Sequence, residues 1–216
     1  RRAGRRHHAH PLPDLGVAAG SPQGCGVDIS PLMQIALRSG ISAALVGALM
    51  FWRGERLSLA DDNLRPGLLV GCLFAVEFLL VGEGLRFTSA SHMVVFLYTA
   101  PIFVALGLHR KLPAERLSML QWLGIAVSFT GIVVTFFGRS QQTTVGEPMD
   151  ILWGDFLALM AGIAWGATTV VVRTSSLARA PATQTLLYQL VVGFVLLLLA
   201  AIVLGQTSIN PTPIAL

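Results

Sequence analysis

The chain has 216 residues, of which 54% are hydrophobic and only 12% charged, with a mean hydropathy of +0.70. That composition lies outside the range of soluble domains and makes a bilayer the expected solvent. The net charge of +4 does not indicate nucleic acid, because the arginines sit in short clusters between apolar runs and not along one basic face; lipid headgroups account for them better.

Residues 1–30 are polar, rich in arginine, and contain His7, His8 and His10. No apolar core there is long enough for a signal peptide, so this stretch reads as a disordered or non-native tail, with authentic sequence beginning near Val27-Asp28-Ile29. Three histidines in a disordered tail do not make a metal site. The two cysteines, Cys25 and Cys72, are far apart and belong to no C-x-x-C, so neither a disulfide framework nor a metal centre is expected, and no cofactor is called for.

Six apolar stretches of about 20 residues follow, each the length a helix needs to cross roughly 30 Å of hydrocarbon. They run from Gln34 to Trp52, Gly67 to Arg86, Ala90 to His109, Met119 to Gly138, Leu152 to Val172 and Gln184 to Gly205. Turns with Pro, Gly and charge separate them, such as Arg65-Pro66-Gly67, Lys111-Leu112-Pro113 and Ala180-Pro181. Leucines and valines fall on all sides of each stretch, and the alternation of a membrane barrel is absent. The fold class is therefore all-α: a polytopic helical membrane protein with about six transmembrane helices.

Loop charges orient it. The loops after the first, third and fifth stretches carry Arg53, Arg56, Arg65, Arg110, Lys111, Arg116, Arg173 and Arg179, whereas the opposite side has Arg86 and Arg139. Odd-numbered helices are thus expected to run from outside to inside. This puts the arginine-rich tail outside, against the same rule, and one further helix upstream would remove the conflict.

An offset of 150 residues pairs Pro31 with Pro181, Gln34 with Gln184 and Leu37 with Leu187, which suggests an internal repeat. The step from the first helix to its copy is five, an odd number, so the copies must cross the membrane in opposite directions. Inverted repeats are a frequent architecture of secondary transporters, and a five-helix repeat implies ten helices in all. Residues 31–138 would hold four helices of the first repeat, 139–151 an outer loop, and 152–216 the first two helices of the second.

The passage Gly84-Leu85-Arg86-Phe87-Thr88-Ser89-Ala90-Ser91, leading to Tyr98-Thr99-Ala100-Pro101, resembles the stretch between the third and fourth helices of EamA-type transporters of the drug/metabolite transporter superfamily. Glu115-Arg116-Leu117-Ser118 with Gln121-Trp122-Leu123-Gly124 and Gly131, and Gly154-Asp155 with Ala164-Trp165, are similar to further passages of that family. The resemblance implies a ten-helix exporter or exchanger of small metabolites built from two inverted repeats, of which this chain lacks the first helix and the last three. Glu83-Gly84 stands where many relatives carry a small residue.

Glu77 is the sharpest site candidate. It lies about ten residues into its helix, near the midplane, where a charge costs roughly 2.5 to 3.5 kcal/mol on insertion scales; it is either a proton or cation handle or a hydrogen-bonded structural carboxyl. Arg38 could hold an anionic substrate group or snorkel to water. Tyr98, Trp165, Tyr188 and Gln189 each bring a hydrogen-bonding group into an apolar helix and could line a cavity, with ordinary packing as the alternative. Glu83 and Arg86, three apart, read as a local ion pair. His92, close to its helix start, reads as solvated, and Pro101 as a kink. Gly40, Gly47, Gly162 and Gly166 suit close helix contact.

The expected function is transport of a small metabolite or drug-like solute by alternating access, in the inner membrane. Partners would be the bilayer and a small solute, with proton or cation coupling through Glu77 and no nucleic acid. The alternatives are a non-transporting membrane fragment or scaffold, and an intramembrane enzyme, for which G-x-S-G, a paired aspartate motif and H-E-x-x-H are all missing. No filter-like loop suggests a channel.

Overall fold

The computed structural model describes residues 28–55, 61–112, 116–140, 148–207 and 209–210. Its helices are α1 (Pro31–Trp52), α2 (Asp61–Gly84), α3 (Ala90–Leu97), α4 (Ala100–Lys111), α5 (Met119–Ser140), α6 (Pro148–Thr174) and α7 (Ala182–Val203). A 3-10 turn, Ser176–Arg179, joins α6 to α7. Two short strands, β1 (Asp28–Ile29) and β2 (Ile209–Asn210), pair antiparallel beyond the ends of α1 and α7. The tail with His7, His8, His10 and Cys25 lies outside the described residues, as does Arg56.

Five spans are long and apolar enough to cross a membrane: Pro31–Trp52, Asp62–Gly84, Ala90–Lys111, Met149–Thr174 and Ala182–Val203. α5, at 22 residues, takes the place of the expected fourth stretch, and its described apolar part is Met119–Val134. Two expectations need correcting. The turn at Arg65-Pro66-Gly67 is helical, because α2 already begins at Asp61 and carries Pro66 inside it. Pro66 has no N–H to give the Asp62 carbonyl, and the Ser176 hydroxyl donates to that carbonyl instead. The expected outer loop 139–151 is also shorter, since α5 runs to Ser140 and α6 starts at Pro148.

The third stretch, Ala90–Lys111, is interrupted just before Pro101. Pro101 cannot donate to the Leu97 carbonyl, and the chain breaks into α3 and α4 at Tyr98-Thr99. The Thr99 hydroxyl donates to the Phe96 carbonyl and satisfies part of the broken end.

α2 packs against both α6 and α7, α1 against α7, and α6 against α3 and α4, while α5 rests on α3. The Ser30 hydroxyl, before α1, donates to the carbonyl of Gln206, after α7. α1 and α7 therefore cross in opposite directions, the sense that the parity of the repeat requires.

Glycine sets the closest approaches. A Cβ on Gly162 would meet the Thr99 Oγ1 at 2.7 Å, and one on Gly166 the Phe103 Cβ at 2.7 Å, so α6 lies directly on the α3–α4 break. Gly40 likewise faces the Phe194 ring at 2.8 Å. Gly47 departs from the expectation: nothing lies within 4 Å of its Cβ position. Gly47→Ala is accordingly expected to stabilise α1 by about 0.5 to 1 kcal/mol, read as a higher thermal midpoint in detergent.

Candidate functional site

Two small apolar clusters grip the α2–α7 region. Leu32, Met33, Ala36, Ala75, Leu197 and Ala201 pack toward the start of α1, and Val70, Leu177 and Tyr188 pack toward the start of α7. Beside them, α2, α6 and α7 leave a cavity of about 440 Å³, within the size range of small-molecule sites. α2 supplies Phe74, Glu77 and Phe78; α6 supplies Trp165, Thr168, Thr169, Val172 and Arg173; α7 supplies Thr185 and Gln189.

Glu77 is 7% exposed yet lines this space, so its carboxyl is shielded from bulk solvent and open to a bound solute. Trp165 and Gln189 stand on the same walls. Three of the six candidates are thus brought together. Tyr98 is not in that cavity, but its ring lies 6.5 Å from the Trp165 ring, centroid to centroid, and it lines a neighbouring space with Pro101. Arg38 sits behind the wall, its guanidinium 5.3 Å from the centroid of Phe78, a cation–π distance. Tyr188 is a core residue, packed with Val70 and Leu177 and facing Gly67.

The residues missed in the sequence share a face with those found. Thr168, Thr169 and Arg173 follow Trp165 at spacings of three, four and eight, and Thr185 precedes Gln189 by four, so each set falls on one helical side. Polar residues at helical spacing around Trp165 and Gln189 were the available signal.

The end of the bundle at the α2–α3 turn is held by a second polar group. Asp155 accepts from the Thr88 hydroxyl at 2.6 Å, and His92 Nδ1 lies 3.0 Å from its carboxylate. Both His92 and Asp155 side chains are largely buried, which corrects the expectation of a solvated His92. Gly154 makes this possible, because a Cβ there would meet the Thr88 nitrogen at 2.7 Å. Glu83 and Arg86 form the expected ion pair at 2.7 Å, and Gln206 donates to Glu83 at 2.6 Å. At the other end the Thr183 hydroxyl donates to Glu55. Among the described residues no group of three or more metal-ligating side chains occurs.

A family model described as EamA-like transporter family matches residues 21–137, more than half of the chain. The chain belongs to the EamA-like transporter family. This EamA-like protein is 25% identical over 144 residues to the Bacillus subtilis (strain 168) protein named "Uncharacterized transporter YoaV", a match covering 66% of the chain and 48% of that relative. It is 30% identical over 147 residues to "Uncharacterized inner membrane transporter YedA" of Escherichia coli (strain K12), covering 65% and 43%. The chain spans about half the length of the curated relatives it matches. No solved structure matches it. With its apolar spans, the EamA-like chain is a multi-pass inner-membrane protein.

Proposed function

We propose that this chain forms part of a membrane transporter that moves a small metabolite or drug-like solute by alternating access, in efflux or exchange, with the cavity between α2, α6 and α7 as part of the substrate path. The observation that carries the reading is Glu77: a carboxyl 7% exposed that lines a cavity in the middle of membrane-spanning helices. A titratable group so placed costs roughly 2.5 to 3.5 kcal/mol, a cost better accounted for by a solute or ion path than by packing. Residues 31–138 are proposed as four helices of one repeat and 152–216 as two of its inverted copy; the opposed α1 and α7 support this.

The test uses the protein in proteoliposomes loaded with a mixture of polar metabolites. An imposed pH gradient is expected to drive selective loss of some solutes, and Glu77→Gln to reduce that loss at least tenfold. Coupling to the gradient that is unchanged in Glu77→Gln would reject the role given to this carboxyl.

A further inference from the structure

A larger space lies away from Glu77, on the other side of Trp165. It measures about 620 Å³ and is bounded by α4, α5 and, on α6, Trp165 and Thr169. Pro101, Val104 and Leu108 of α4 and Ile125 of α5 make its walls apolar, while Arg116 and Gln121 line it near the start of α5. A second space of about 420 Å³ shares Pro101, Leu117, Gln121 and Ile125 with the first and continues along α5 to Ile132. The two form one trough. From Met119 to Ile132 α5 rises roughly 20 Å at 1.5 Å per residue, more than the ~15 Å of hydrocarbon in one leaflet.

The charge along the trough is one-sided. Arg116 lines one end, and the last turn of α4 carries Arg110 and Lys111, on the side that the loop charges assign to the cytoplasm. No acidic residue lines either space among the described residues; in the sequence the α4–α5 connection holds one acid, Glu115. Gln121 accepts the Ser118 N–H at 2.8 Å through its Oε1, so the chemistry it has left to offer is its amide donor. A cationic rim with donors above a long apolar wall fits one kind of molecule: an amphiphile with an anionic head at the inner surface and a chain running toward the midplane.

We propose that the trough between α4, α5 and α6 is a binding site for an anionic phospholipid of the inner leaflet, its phosphate at Arg116 and Gln121 and one acyl chain along α5. Such a lipid bridges α5 to α4 and α6, where the protein's own packing of α5 is sparse. Gly124, in the chain's path, has nothing within 4 Å of its Cβ position, so a side chain there enters the trough without displacing the fold.

The chain is purified in detergent, titrated with dioleoylphosphatidylglycerol or dioleoylphosphatidylcholine, and read by native mass spectrometry. One phosphatidylglycerol is expected to bind at least tenfold more tightly than phosphatidylcholine. Arg116→Gln should remove that preference, Arg116→Lys should keep most of it, and Gly124→Phe should displace the lipid with the charge intact. Arg86→Gln, a cation at the opposite end, should change nothing. Equal binding of the two lipids by the unaltered chain overturns the proposal, as does equal loss from Arg86→Gln and Arg116→Gln. A disulfide-linked dimer forming in high yield from Gly124→Cys in phosphatidylglycerol vesicles would assign the trough to a second copy and overturn it as well.

Discussion

Asp155→Ala is expected to lower stability by about 3 kcal/mol, measured as reversible unfolding in mixed micelles with sodium dodecyl sulfate. The carboxylate is the shared acceptor for the Thr88 hydroxyl at 2.6 Å and the His92 ring at 3.0 Å, and all of this is largely buried. Hydrogen bonds to a charged group contribute roughly 1.5 to 3 kcal/mol each, and removing one partner of a buried pair costs about 3 to 5 kcal/mol. Asp155→Asn keeps one acceptor and the side-chain volume, so its loss should be about half as large. Equal stability of Asp155→Ala and the unaltered chain would mean that the outer end is held by packing alone. The contact ties the α2–α3 turn to α6, so it also bears on how freely the outer end can open.

Gly71→Leu should be comparably damaging, at about 3 kcal/mol, for a different reason. A Cβ on Gly71 would fall 2.5 Å from the Val192 Cβ and 2.9 Å from the Tyr188 carbonyl oxygen. Val192 could change rotamer, but the Tyr188 backbone cannot retreat without moving α7. Overpacking of a tight contact costs typically about 1 to 3 kcal/mol, and a full leucine stands at the upper end. Gly47→Leu, with open space around it, is the matching control and should be close to neutral. Because the α2–α7 contact forms one wall of the Glu77 cavity, Gly71→Leu should also widen or collapse that cavity, and transport is expected to fall with stability.

The placement of these residues bears on function. Glu77 follows Val70 and Ala75 along α2, one member of each apolar cluster, and polar ties lie nearer the ends of the bundle: Asp155 with His92 and Thr88 at one end, Glu55 with Thr183 at the other. A cycle that exposes the cavity alternately would have to break these ties in turn.

The solvent and the order of the apolar runs were legible in the sequence, because these depend on a local quantity, the length of an apolar run against the thickness of a bilayer; the fourth run is the exception, since its described apolar part is only Met119–Val134. The sequence also determined that Glu77 is unusual, since a carboxyl at that depth is costly in any helical arrangement. The helix limit at Pro66 was decided by tertiary contact. Pro66 stays inside α2 because Ser176, more than a hundred residues away in the chain, satisfies the carbonyl it abandons. The break before Pro101 has a local cause, its missing N–H; tertiary structure adds Gly162, which brings α6 against that break. The partners of His92 and the fate of Tyr188 were likewise invisible in sequence, because both depend on which helix lies opposite. A single helix dictates which residues share a face; only the packing of α2, α6 and α7 against one another decided that Glu77, Trp165 and Gln189 face the same space and that Tyr188 does not.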